Sequence, residues 1–315
     1  MTTSSAPRGL SSNLVLGVIV LVAMLIGLNF TVLKFALDHT TPLLLAGMRT
    51  VIGSSVLIAL ALARGERFPT RLADLANIFA VGFSITTVSS GLLVFGVDKV
   101  PAGVASLLAS TMPLFTAALT LLLLGTAISR LGAIGLAVGF AGTVVLAAPS
   151  MSGSAATIGI LALTASALAW AFGNVYMKWK DFSRVSPIML VGVQLAMSAM
   201  VLIPFALVVE GTGGTDWSTG LLWPLLYAAV PANAVTFALL ATVATRATPT
   251  QAAASAYLIP VFGVTFGALF RDERPGLIQV AGGVLVVVGV YLVVTSAARL
   301  AQRASARTAA DAAAS

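Results

Sequence analysis

An all-α polytopic membrane protein of ten transmembrane helices, built as two inverted five-helix repeats, is the fold class this sequence predicts. Three observations carry that prediction. Of the 315 residues, 59% are hydrophobic and only 9% charged, against about 25% charged in a soluble domain. Ten mainly apolar stretches, joined by short connections, reach the ~20 residues a helix needs to cross ~30 Å of hydrocarbon. The second half also repeats the first. Trp170–Lys178 aligns with Ile26–Lys34 at an offset of 144 (170 − 26), and Leu190–Gln194 with Leu45–Arg49 at 145 (190 − 45). Pro260-Val-Phe matches Pro113-Leu-Phe at 147 (260 − 113), and Gly135 and Gly142 fall on Gly282 and Gly289. Five spans per repeat is an odd number, so the second copy sits upside down in the bilayer. Inverted repeats of this kind frame a binding site near the midplane.

The spans run over roughly 14–35, 42–63, 75–97, 101–124, 131–149, 157–179, 186–209, 221–243, 249–270 and 276–298. They divide the chain into an amino-terminal segment (1–13), a first repeat (14–149), a second, inverted repeat (157–298) and a basic tail (299–315). The first span is too long for the apolar core of a signal peptide and no small-x-small site follows it, so it reads as a retained helix. Small residues four apart mark faces where helices approach closely in lipid: Ala102, Ser106 and Ser110 on span four, Gly135 and Gly139 on span five, Gly263 and Gly267 on span nine. Spans five and ten hold almost nothing polar and read as peripheral, facing lipid or a second copy of the chain, which makes a homodimer through them an expectation. Pro113 and Pro260, repeat-equivalent and mid-span, are expected to bend their helices, with Pro204 and Pro231 as further bends. The alanine-rich tail, with its spaced arginines, reads as a frayed, solvated segment.

Charge sets the topology. With the amino terminus cytoplasmic, the inner ends hold Arg8, Arg64, Arg67, Arg71, Arg130, Lys178, Lys180, Arg184, Arg246, Arg299, Arg303 and Arg307. The outer ends hold Lys34, Lys99, Arg271 and Arg274, while Arg49 lies within span two. Twelve against four is a clear positive-inside bias, with both termini inside. The same bias accounts for the net charge of +7 without a nucleic-acid partner. The absence of cysteine excludes disulfides, iron–sulfur clusters and thiol chemistry. A single histidine and no cysteine argue against a zinc site, and no cofactor is expected. His39 lies outside the first span, and Ser90-Gly91 has no partner that would make a nucleophile, so an intramembrane enzyme is disfavoured.

Polar and aromatic residues gather on six spans. On span six, Ser166, Trp170, Asn174 and Lys178 recur every four residues and share one slowly drifting face. Span one, its counterpart, offers Asn29 and Lys34. Span three carries Phe83, Thr87 and Ser90; span four, Ser106 and Ser110; span eight, Asn233 and Phe237; span nine, Ser255 and Tyr257. Polar groups at depth need a wet or protein-lined side. A membrane serine also bonds its own backbone, and an aromatic also simply packs. Leaving out Ser166 and the two lysines, the set outlines a substrate-binding cavity of hydroxyls, amides and aromatic faces with no fixed charge at its centre. Arg49 lies ~10 Å of rise inside its span. No Asp or Glu occupies the middle third of any span, so a mid-membrane carboxylate exchanging protons with substrate is missing.

Asn29-Phe30 with Lys34, Gly47-Met48-Arg49, Ala105-Ser106-Leu107-Leu108 with Pro113-Leu-Phe, and Pro260-Val-Phe together resemble the EamA-type carriers of the drug/metabolite transporter superfamily. The resemblance covers nearly the whole chain. It implies a bacterial inner-membrane exporter of small neutral or zwitterionic metabolites, amino acids first, with multidrug or nucleoside export as the alternative. Asp272-Glu273 ends span nine where that family usually shows Gly-Glu, and Gly125-Thr126 stands at the matching place in the first half.

Overall fold

The computed structural model describes residues 12–125, 128–149, 153–243 and 249–314, with backbone alone at 12–13, 241–243, 249–255, 301 and 303–314. Ten helices follow in order. They are α1 (Ser12–Leu37), α2 (Pro42–Ala63), α3 (Leu72–Lys99), α4 (Ala102–Leu124) and α5 (Arg130–Ala147). The second repeat gives α6 (Ser154–Trp179), α7 (Pro187–Val209), α8 (Thr219–Ala229 continuing through Val230–Val235 to Thr236–Val243), α9 (Pro249–Arg271) and α10 (Leu277–Ala314). Among the described residues, nine of these are long and apolar enough to cross a membrane. The stretch of α9 counted, Ala256–Arg271, is shorter because its first turns carry no described side chains.

Helix ends follow local chemistry. Proline opens α2 and α7, where its missing N–H has no intrahelical partner to lose. Ser129 caps α5 by accepting from Gly132 N, and Ser186 caps α7 by accepting from Met189 N. At the end of α4 the chain turns through the left-handed region at Gly125, with φ 62°. Its repeat equivalent at the end of α9 is Asp272, with φ 52° (272 − 125 = 147).

Inversion is visible in which helices pack together. Exchanging each helix for the one five places on maps α2·α7 and α5·α10 onto themselves. The same exchange maps α1·α9 onto α6·α4, α3·α6 onto α8·α1, and α2·α8 onto α7·α3, all of which are packed pairs. The predicted glycine faces are the contact faces. Gly135 and Gly142 of α5 meet the backbone of α10 at Gly289 and Gly282, while Gly263 of α9 lies on Ser106 of α4.

Three features depart from the sequence expectation. Pro113 and Pro260 behave differently: α4 is broken just before Pro113, at Ser110–Thr111, whereas α9 runs through Pro260 as one helix. The tail is not frayed, because α10 continues to Ala314. Alanine-rich sequence extends a helix that is already nucleated at little cost. Finally, Phe83–Val88 in α3 and Val230–Val235 in α8 are π-helical, and 230 − 83 is again 147. Such wide turns are rare and concentrate at functional sites.

Candidate functional site

We call the face on which α1 begins the near side and the opposite face the far side. The two differ in how their apolar residues cluster. On the far side one cluster spans the far halves of α1, α2, α3, α4, α6, α7 and α8 and the far end of α5, from Phe30 and Leu33 through Val97 and Ala105 to Leu163, Leu202 and Leu225. On the near side the core is divided. One cluster joins α2, α3 and α7 through Leu57, Ile78 and Met189; another joins α4 to α10 through Leu114, Val286 and Val290.

Beside that second cluster lies a cavity of about 450 Å³, within the range of small-molecule sites. Met112, Pro113, Thr116 and Thr120 of α4 form one wall, and Trp170, Asn174 and Lys178 of α6 form another. Ser129 and Gly132 at the start of α5, with Val294, Ser296 and Leu300 of α10, complete it. The four-residue spacing on α6 is what brings Trp170, Asn174 and Lys178 to one wall, and Asn174 Nδ2 donates back to the Trp170 carbonyl at 3.1 Å. Helices α5 and α10 are therefore not wholly peripheral, contrary to expectation. Their mutual glycine contact draws both against α4, so their near-side turns reach the cavity.

The other predicted residues fall in different surroundings. Ser106 and Ser110 are buried and donate to the carbonyls of Gly103 and Ser106 on their own helix. Ser90 accepts from Arg49 Nη2, tying α3 to α2. Phe83 is half exposed and lies against Phe79, outside the cavity lining. Asn233 sits in the π-helical turn of α8 near Gly53 of α2, and Phe237 is half-buried one turn on. Tyr257 packs edge-on against Tyr291 of α10. Asn29 Oδ1, Thr87 Oγ1 and Tyr257 Oη are buried without a hydrogen-bond partner among the described residues. The Ser255 side chain lies outside them. Most hydroxyls of α3 act as bolts: Ser84 donates to the Ala169 carbonyl, Ser89 meets Ser166 at 3.0 Å, and Thr86 accepts from Gln194 Nε2 at 2.8 Å.

On the far side a set of residues ties helix ends together. Glu273 places its carboxylate oxygens 2.6 Å from Ala102 N and 2.9 Å from Gly103 N, capping the first turn of α4. A carboxylate there satisfies orphan amides and meets the positive end of the helix dipole. Gly267 makes room for it, since a Cβ at that position would approach Glu273 Oε2 to 2.5 Å. Arg271 pairs with Asp38 at 2.6 Å and lies over the Phe35 ring, joining α9 to α1. Lys34 Nζ donates to the Asp98 carbonyl at 3.3 Å. A second, symmetric pair of carboxylates serves α2 and α7. Glu210 accepts from Leu43 N and Leu44 N at the start of α2, and Glu66, 144 residues earlier, accepts from the Ser186 hydroxyl at the start of α7. Glu273 has no such twin, because the residue 147 positions earlier is Thr126. Sequence reasoning noted Lys178 and Glu273 without giving them a place in the site; the Lys34/Lys178 repeat match was the available signal.

Residues 13–148 and 157–295 each match the EamA-like transporter family. The chain belongs to that family. It is 32% identical over 281 residues to the "Uncharacterized transporter YvbV" of Bacillus subtilis (strain 168), covering 89% of this chain and 90% of that one. It is 28% identical over 289 residues to the "Probable amino-acid metabolite efflux pump" of Escherichia coli (strain K12), covering 88% and 93%. The protein of the same description from Salmonella typhimurium is 30% identical over 287 residues. A solved crystal structure superposes with a TM-score of 0.62 over 92% of this chain and 98% of that one, at 20% identity, a likeness of fold alone. This EamA-like transporter is thus a multi-pass membrane protein of two repeats; among the described residues its near side holds a cavity of about 450 Å³, and a pocket of about 70 Å³ lies beside Glu273 on the far side.

Proposed function

We propose that this EamA-like transporter exports small neutral or zwitterionic metabolites, amino acids first, by alternating access, and that it works as a carrier and not as an enzyme. The observation that carries the reading is the unequal cavity: Trp170 and Asn174 line about 450 Å³ on the near side, while the far side holds a continuous apolar cluster and a pocket of only about 70 Å³. The near side is then the cytoplasm, with both termini there and the chain in a bacterial inner membrane. The twelve-to-four bias of basic residues supports that orientation, and relatives described as probable efflux pumps support the direction. Trp170 offers an aromatic face to an apolar side chain, and Asn174 an amide to the polar end. Asn29 and Thr87, whose buried polar atoms have no described partner, are the groups of the first proposed set best suited to meet substrate deeper in the membrane.

Counterflow of labelled amino acids in liposomes, with a panel of amphiphilic drugs and nucleosides alongside, tests the substrate class. Amino-acid exchange unaffected by the panel is the expected result; exchange of drugs alone moves the protein to the alternative class. Trp170→Ala is expected to slow exchange of large apolar amino acids about tenfold, equivalent to ~1.4 kcal/mol of lost contact, and of alanine far less. Equal rates for all substrates in a normally expressed variant would make Trp170 a packing residue.

A further inference from the structure

Among the described residues, one charged side chain lines the cavity, and that charge is positive. Among the described lining residues there is no Asp, Glu or Arg, and Lys178 reaches the cavity from the last turn of α6. No carboxylate among the described residues pairs with it; the ion pairs that are present join His39 to Asp216, Lys99 to Asp98 and Arg271 to Asp38. The start of α5 faces the same space at Ser129 and Gly132 and adds the positive end of a helix dipole. A substrate with a permanent positive charge meets repulsion here, whereas one with a carboxylate meets an ammonium group that no described carboxylate pairs.

Topology alone accounts for a lysine at this place, since cytoplasmic helix ends collect basic residues. It does not account for Lys34. By the 144-residue offset Lys34 is the repeat equivalent of Lys178, and it lies at the opposite, base-poor side of the membrane. There its ammonium group is part-buried and held by a backbone carbonyl, that of Asp98, within the sealed half. Exchange of the two repeats would carry Trp170, Asn174 and Lys178 onto Ile26, Phe30 and Lys34, so the far-open state should expose Lys34 as the near-open state exposes Lys178. In that exchange the same cation would stand at the mouth of each half-cavity.

We infer that Lys178 and Lys34 are twin anchors for the carboxylate of the transported molecule, Lys178 in the state open to the near side and Lys34 in the state open to the far side. This rests on the export reading above and narrows it: the substrates are those of its zwitterionic members that carry a free carboxylate. Neutral members lacking one, and permanent cations, fall outside. On opening of the far side, Lys34 exchanges the Asp98 carbonyl for the substrate carboxylate.

Leucine and leucinamide, alike except for that carboxylate, are the probes. Purified full-length protein is titrated with each, reading ligand-induced thermal stabilisation, and each then competes with labelled leucine counterflow from either face of sided proteoliposomes. The wild type should favour leucine about tenfold, the scale of one charge-assisted hydrogen bond. Lys178→Gln should bring that preference close to one by weakening leucine alone, and Lys178→Arg should keep it. Lys34→Gln should erase the preference only for ligand offered at the far face. A wild type that binds both probes alike, or a folded Lys178→Gln that keeps the full preference, overturns the anchor and leaves the export reading standing. A wild type that neither binds nor moves leucine overturns the export reading and the anchor with it.

Discussion

The near and far sides of this protein are built from the same repeat, yet one holds a cavity and the other a continuous apolar core. Helix α1 shows the difference most directly when set beside α6. On the far side α1 lies so close to α9 that a Cβ on Gly27 would meet Phe262 Cβ at 2.5 Å, and α1 also packs on α4. On the near side α6 keeps its contact with α4. Among the described residues its packing on α9, the counterpart of α1 on α4, is at most slight, and the cavity opens alongside. One architecture therefore supports two packings. Opening the far side would expose side chains such as Phe30 and Leu33 to water, at ~25 cal/mol per Å². Closing the near side must recover a similar amount for the two states to interconvert.

The two repeats also differ at an equivalent pair of helix ends. The first repeat ends α4 with Gly125-Thr126, keeping the glycine and lacking the carboxylate; the second ends α9 with Asp272-Glu273, keeping the carboxylate and lacking the glycine. Glu273 caps α4 and helps hold the far side shut. Removing it is the largest expected effect. Glu273→Ala costs the far-closed state about 1–2 kcal/mol, a shift of about 5- to 30-fold toward the far-open state. Faster modification of a far-side cysteine would report that shift, and an unchanged rate would reduce Glu273 to a local cap. Thr126→Glu restores the missing carboxylate and should shift the balance the opposite way by a smaller factor, since its geometry has not been tuned. Reduced labelling of a near-side cysteine such as Asn174→Cys would show it, and increased labelling would break the comparison. Smallest is Asp272→Gly. Relief of a left-handed non-glycine backbone, less the extra entropy of an unfolded glycine, should stabilise the purified protein by about 0.5 kcal/mol. A thermal melt shifted downward would mean that the Asp272 side chain contributes more than its backbone costs.

Much of this was legible in the sequence, and the reasons are physical. Ten spans and the inversion follow from length and repeat spacing, because a bilayer fixes the length of a crossing helix. The four-residue spacing of Trp170 and Asn174 put both on one wall of the cavity. Ser106 and Ser110 look identical to cavity hydroxyls in sequence, yet they bond their own helix, and nothing in residue type separates the two cases. The π-helical turn at Phe83–Val88 adds a residue to a turn without any compositional mark, whereas that at Val230–Val235 carries Pro231, read in the sequence only as a bend. The part taken by α5 and α10 was hidden for another reason. Their apolar, glycine-rich sequence records that they pack closely, not that the packed pair leans on α4.

The absence of native cysteine makes the central claim directly measurable. Asn174→Cys and Phe30→Cys occupy equivalent positions in the two repeats (174 − 30 = 144), the first in the cavity and the second 3% exposed in the sealed core. In otherwise wild-type protein without substrate, a hydrophilic thiol reagent supplied to both faces should modify Asn174→Cys readily and Phe30→Cys at least tenfold more slowly. Equal rates at the two positions, or protection of Asn174→Cys, would contradict a carrier open on its near side and sealed on its far side.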